Sequence, residues 1–165
     1  MFRIGQGYDL HRLGPNRALW LGGVQIPTAD GCGLVGHSDA DVLLHAVIDA
    51  VLGSLALGDI GQWFPDTDTA YLGADSKDLL RRVLEDDRLH GWRLQNLDCT
   101  VIAERPKLAP HIPAIRDSLA TLFQVPASCI SVKAKTNEGV DAVGRREAIA
   151  AWAVLLAETQ TASLP

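Results

Sequence analysis

The sequence predicts one domain of the α+β (mixed α/β) class. Strand-like stretches over residues 2–12, 92–103 and 129–135 are interleaved with helix-like stretches that begin near residues 39 and 76 and after residue 113. The second observation is size: 165 residues can close one core and are too few for two ordinary domains. The third is continuity, because no repeat and no low-complexity linker interrupts residues 1–165. Apolar residues make up 47% and charged residues 21%, a globular balance that argues against disorder.

Residues 2–12 alternate. Phe2, Ile4, Tyr8 and Leu10 share one face, and Arg3, Gly5, Gly7, Asp9 and His11 share the other. Gly5 and Gly7 leave room on the Asp9/His11 face for a ligand or another backbone. Pro15, Asn16 and Arg17 make a turn, and residues 18–21 and 24–26 read as a short hairpin through Gly22 and Gly23. Residues 28–36 read as a loop with three glycines.

From Asp39 onward, Val42, Leu43, Ala46, Val47, Ala50 and Val51 recur at helical spacing. Ser38 followed by Asp41 resembles a capping box. Asp41, His45 and Asp49 then share one stripe away from most of the apolar side. Taken alone, the stretch reads as a surface helix with a few charges.

Residues 57–76, rich in Gly and Asp, form a long loop with room for a helical turn, and loops of this length are often functional. Asp75 or Ser76 caps a second helix to about Leu89, with Leu79, Leu80, Val83 and Leu84 inward. Residues 104–113 are a proline-punctuated turn, and the third helix turns Ile115, Leu119, Leu122 and Phe123 inward. Residues 136–145 form a second polar loop. The final run, EAIAAWAVLLAE, reads as helix by its Ala, Leu and Glu content, although a short buried strand has the same pattern.

The net charge of −5 is spread along the chain without a basic block, which argues against a nucleic-acid partner. No apolar run reaches membrane-spanning length, and the first residues show no targeting character. Cys32, Cys99 and Cys129 are far apart and odd in number, which suits a reducing cytoplasm and excludes a thiolate zinc site. Any metal must therefore use His and carboxylate. Asp9 and His11 on one strand, with His45 on a helix, make a set that zinc accepts while keeping a position open for water or substrate. A surface strand end carries the same D-x-H pair. His37 and Ser38 stand at a helix N-terminus, where N–H groups attract phosphate, while Asp39 and Asp41 offset that attraction. Residues 133–138, KAKTNE, bring cations, a hydroxyl and a carboxylate into one loop, as a phosphate with a hard divalent ion requires.

Five blocks in order carry a resemblance: GQGYDLH from Gly5, GHSDADVLLH from Gly36, LGDIGQWFPDTD from Leu57, AERPKLAPHI from Ala103, and KAKTNE from Lys133. Together they resemble the 2-C-methyl-D-erythritol 2,4-cyclodiphosphate synthases over nearly the whole chain. The resemblance implies a homotrimer with active sites between subunits, a mixed sheet packed at the trimer centre, and helices on the outer face. It also makes the C-terminal run a central strand, since burial in a trimer can override propensity. The implied reaction cyclises 4-diphosphocytidyl-2-C-methyl-D-erythritol 2-phosphate with release of CMP, in the non-mevalonate route to isoprenoid precursors.

The same resemblance implies roles for particular residues. Zn2+ would sit on Asp9, His11 and His45, and Mg2+ or Mn2+ near Glu138. His37 and Thr136 match transition-state-stabilising positions, and Ser38 joins His37 on the 2-phosphate. Asp59, Ile60 and Gly61 fall where erythritol hydroxyls bind, bordered by Phe64, Asp66 and Asp68. The cytosine would be read by residues 103–109 (Ala103, Pro106, Lys107, Leu108 and Ala109), largely through backbone groups. Lys135 and Arg145 would lie near phosphates. Ala142 stands where an aromatic commonly lines the central cavity, so an isoprenoid diphosphate ligand there does not carry over. Arg146, where glycine is common, reads as a solvated charge, as do His90 and His111 as exposed histidines. Asp41 and Asp49 read as supports or surface residues, and the four tryptophans as core or interface. Two rival readings share these residues: a zinc hydrolase of a nucleotide diphosphate, and a trimeric binding protein that has kept the fold.

Overall fold

The computed structural model describes residues 1–159; residues 160–165 of the expected domain lie outside the described residues. Its centre is a five-stranded mixed sheet in the order β4-β1-β7-β5-β6. The strands are β1 (Phe2–Pro15), β4 (Cys32–Val35), β5 (Trp92–Ile102), β6 (Ile130–Lys135) and β7 (Ala148–Thr159). Among the described residues, only the β5–β6 pairing is parallel. The short hairpin β2 (Leu19–Leu21) and β3 (Val24–Ile26) stands apart as a second sheet. The longer helices are α1 (Val42–Ser54), α3 (Ser76–Leu84) and α4 (Ile112–Phe123), with single-turn helices α2 (Ile60–Trp63) and α5 (Asp141–Gly144).

β7 corrects the helix reading of the C-terminal run. Its alternate residues Ala151, Ala153, Leu155 and Ala157 are buried beneath helices, and it pairs with β1 on one side and β5 on the other. Two full ladders of hydrogen bonds outweigh the helix propensity of alanine. The loop expected over residues 28–36 contains β4, which pairs with Arg12–Pro15. The loop at 57–76 contains α2 and a 3-10 turn at Thr69–Tyr71, while the second polar loop contains α5. The second helix stops at Leu84, and Asp87–Leu89 is a separate 3-10 turn.

The surface reading of α1 is also corrected. Every residue of the helix is buried except Asp49, which is half-buried, and Gly53. Asp41, and not Ser38, is its N-cap, accepting from Leu43 N–H at 3.1 Å and Leu44 N–H at 3.0 Å. Ala40 sits in the left-handed region at φ 59°, so the helix cannot begin earlier. The second Asp41 oxygen and the first together also accept Gly22 and Gly23 N–H at 2.9 and 2.6 Å, which hooks the hairpin onto the helix. Burial pushes the Asp41 carboxyl upward, against the pull of these backbone donors.

The backbone for which Gly5 and Gly7 make room is that of α1. A Cβ on Gly5 would meet Ala50 O at 1.8 Å, and one on Gly7 would meet Ala46 O at 2.0 Å. The opposite, apolar face of β1 is exposed in the single chain: Phe2, Ile4, Tyr8 and Leu10, joined by Trp152 and Val154 of β7. Replacing Gly7 by Ala should force α1 off the sheet and cost ~1–3 kcal/mol or more, as overpacking does. A urea unfolding curve with an unshifted midpoint would refute this contact.

Candidate metal centre and its pocket

β1 turns Asp9 and His11 toward α1, which presents His45 from its second turn. Asp9 Oδ2 lies 3.0 Å from His45 Nδ1 and 3.0 Å from His11 Nδ1. One donor atom from each of the three residues falls within 4.8 Å of the other two. The imidazoles meet edge-on with centroids 5.0 Å apart. Asp9 Oδ1 accepts the Leu10 N–H at 2.8 Å, which fixes the carboxylate plane. Burial opposes the Asp9 charge, but hydrogen bonding and the nearby His11 and His45 rings override it. The carboxyl is held well below the usual range.

This cluster leaves a donor position unused: His11 Nδ1 is buried, and its approach to Asp9 lacks hydrogen-bond geometry. An orphaned imidazole nitrogen beside a carboxylate and a second imidazole is what a divalent ion completes. Two nitrogens and one oxygen suit zinc, which, held by these three residues, would keep one position for water or substrate. On the far side of His45, Nε2 meets Ser38 Oγ and Ser76 Oγ, each at 3.1 Å.

His11 and His45 open onto a cavity of about 450 Å³ whose walls include His37, Ser38, Ile60, Gly61, Phe64 and Asp66. Asp49 holds this wall to α1 by accepting the Ile60 N–H at 2.7 Å, with burial pushing its carboxyl upward. His37 Nε2 lies 3.1 Å from the Asp68 carbonyl oxygen, closing the loop over the cavity, and Phe64 stacks edge-on against Tyr71. Asp59 caps α2, accepting Gln62 N–H at 2.9 Å and its side-chain amide at 2.6 Å. The Ser38 hydroxyl points inward onto His45 and the Ala40 N–H.

The remaining expected residues lie elsewhere in the same chain. Lys135 ends β6, three strand spacings or ~14 Å across the sheet from β1. Thr136 Oγ1 donates to Glu138 at 2.9 Å, both exposed. This loop is tied to the cytosine-loop candidates, because Ala103 N–H donates to Lys135 O at 3.0 Å and Asn137 N–H to Glu104 at 2.8 Å. Ala103 and Leu108 are buried. Pro106 and Lys107 line a second cavity, of about 680 Å³, with Arg105 and Arg146. Arg145 pairs with Glu147 at 3.0 Å, Ala142 is half-buried in α5, and Ala109 is exposed. Tyr71 joins the first cavity without any signal in the sequence. The contacts of Asp39 and Ser76 span 37 positions and are likewise silent in the sequence.

Wild-type protein should bind one divalent ion per chain at this cluster. His45→Ala should weaken that binding by on the order of 100-fold or more, exceeding the loss typical of residues that only support a ligand. Metal analysis after dialysis reads the result; full stoichiometry in the variant would contradict the cluster.

The model of the YgbB family matches residues 2–158. A relative from Nostoc sp. named 2-C-methyl-D-erythritol 2,4-cyclodiphosphate synthase is 58% identical over 154 residues, 93% of this chain and 92% of its own. A CDP-bound structure of 2C-methyl-D-erythritol-2,4-cyclodiphosphate synthase superposes with a TM-score of 0.85 at 40% identity, over 94% of this chain and 100% of that one. The bifunctional IspDF from Campylobacter jejuni superposes with a TM-score of 0.91 at 38% identity, over 97% of this chain and 43% of that longer protein. The chain therefore belongs to the YgbB family, alongside the 2-C-methyl-D-erythritol 2,4-cyclodiphosphate synthases.

Proposed function

We propose that this enzyme closes 4-diphosphocytidyl-2-C-methyl-D-erythritol 2-phosphate into 2-C-methyl-D-erythritol 2,4-cyclodiphosphate and releases CMP. The observation that carries the reading is the Asp9, His11 and His45 cluster opening onto a pocket walled by residues of the 36–38 and 60–66 segments. An oxygen of the 2-phosphate attacks the β-phosphorus. The bond from that phosphorus to the oxygen bridging to the α-phosphate breaks, and CMP leaves with that oxygen. Because nucleophile and electrophile share one molecule, the protein's task is alignment and charge neutralisation.

Zn2+ on Asp9, His11 and His45, with Mg2+ or Mn2+ near Glu138, would polarise the β-phosphate and neutralise charge across the diphosphate. His37, with Ser38, would hold the 2-phosphate, and Thr136 the α-phosphate. Asp59, Ile60 and Gly61 would bind the erythritol hydroxyls, against Phe64, Asp66 and Asp68. The backbone of residues 103–109 would read the cytosine, with Lys135 and Arg145 near phosphates.

These two groups of residues lie on separate parts of one chain, which supports a site completed by a neighbouring copy in a homotrimer. The uncovered sheet face supports the same reading. Tyr8 and Trp152 stack there with centroids 4.6 Å apart while 45% and 37% exposed, a state that burial between copies would relieve. Three free cysteines, and the lack of any helix long and apolar enough to cross a membrane among the described residues, are consistent with work in the cytoplasm.

Phosphorus NMR of the substrate incubated with protein and divalent metal tests the reaction. A cyclic diphosphate with CMP is expected; an open-chain phosphate ester with CMP would mark a hydrolase, and no turnover a binding protein. Glu138→Gln should leave the ion at the Asp9 cluster while lowering kcat roughly 100-fold, the scale for one lost electrostatic contact to a transition state. Trp152→Glu should break the trimer, which light scattering coupled to size exclusion reads directly; an intact trimer in that variant would refute this face as the interface.

A further inference from the structure

His45 is gripped on both ring nitrogens. Nδ1 lies on the metal side, 3.0 Å from Asp9 Oδ2, and Nε2 lies on the other, 3.1 Å from Ser76 Oγ and 3.1 Å from Ser38 Oγ. His45, Ser38 and Ser76 are buried, Ser76 completely. A serine hydroxyl has one proton to donate, and that of Ser76 goes to Asp39. Ser76 Oγ stands 2.5 Å from Asp39 Oδ1, and the Ser76 N–H donates to Asp39 Oδ2 at 3.1 Å. A carboxylate is a stronger acceptor than an imidazole nitrogen. Ser76 Oγ therefore turns only lone pairs toward His45.

An Nε2 without a proton would face those lone pairs at hydrogen-bond distance in a buried site, leaving the Ser76 oxygen unmatched and Ser38 as the one hydroxyl able to donate to the ring. A proton on Nε2 satisfies both serine oxygens at once. Ser38 is compatible, since its Oγ accepts the Ala40 N–H at 3.1 Å and keeps a lone pair for the same Nε2–H. With the ion taking the place of a donor between Nδ1 and Asp9 Oδ2, which lie 3.0 Å apart, an imidazole protonated at Nε2 has its lone pair free at Nδ1.

We propose that Asp39 and Ser76 are positioning residues of the metal centre: Asp39 orients the Ser76 hydroxyl, Ser76 holds Nε2–H of His45, and Nδ1 is thereby the atom offered to the ion. The proposal rests on the metal reading above and adds the groups that set ring orientation and tautomer. Asp39 is itself fixed, donating its N–H to Ala74 O at 3.0 Å and accepting the Asp41 N–H at 3.2 Å. Ser76 is the first residue of α3, so the seating of that helix against α1 becomes part of the metal site.

The test uses the zinc-loaded, nitrogen-15-labelled protein. Two-bond proton–nitrogen spectra of the wild type should show the His45 proton on Nε2 and a metal-bound Nδ1. In chelator competition, Ser76→Ala should bind zinc ~10–100-fold more weakly, and Asp39→Asn should shift the same way. Ser76→Thr, which keeps the hydroxyl, should restore both affinity and the Nε2–H signal, a rescue that a purely structural loss would not give. An unprotonated Nε2 in the wild type overturns the proposal, whether or not any variant folds. So does zinc affinity in Ser76→Ala within about twofold of wild type, well inside the usual effect of such partners. Either result leaves the metal site standing, whereas a wild type that takes up no zinc overturns the metal reading and this proposal together.

Discussion

The approach of α1 to β1, backbone against backbone, is the constraint on which the site depends. Carbonyl oxygens of Ala50 and Ala46 occupy the space that side chains at Gly5 and Gly7 would fill. Two strand residues advance about 6.8 Å and four helix residues about 6 Å, so the two periods nearly match over this length. Gly5 faces Ala50, Gly7 faces Ala46, and the next inward residue, Asp9, falls beside His45. Larger side chains at the glycines would hold the helix away and carry the imidazole out of reach of the carboxylate.

Within that contact, the polar groups are arranged at the expense of their own satisfaction. One Asp9 oxygen is approached by two imidazoles, and a buried nitrogen of His11 finds no hydrogen bond. Unsatisfied buried polar atoms are rare where stability alone is selected and concentrate where a ligand completes them. The surrounding groups show the opposite pattern. Asp39, Asp41 and Asp49 each accept specific backbone or hydroxyl donors, so three carboxylates near the centre are spent on holding its walls.

Much of this was legible in the sequence. That Asp9, His11 and His45 could meet was readable because a metal restricts residue types and a D-x-H pair on a strand shares a face. The alternation of β1 was readable too, but not which side would be covered, since the inward face consists of glycines and polar groups that pack through backbone. The Ala-rich run of β7 misled by composition, because propensity is local and its two neighbouring strands come from residues 2–12 and 92–102. Ser38 matched a capping pattern, yet its hydroxyl is drawn to His45 and the cap passes to Asp41. Residues 135–138 read as a loop for phosphate and a divalent ion without revealing their distance from Asp9, His11 and His45 within one chain, which is a property of strand order.

Asp41 does more than begin a helix. By accepting the amides of Gly22 and Gly23 as well as those of Leu43 and Leu44, it closes the intervening stretch of chain into a ring without a covalent bond. His37 and Ser38 belong to that ring and inherit its rigidity. A glycine pair that resembles an ordinary hairpin tip is thereby fastened to the deepest helix of the molecule, and its amide hydrogens exchange with solvent only when that helix lets go.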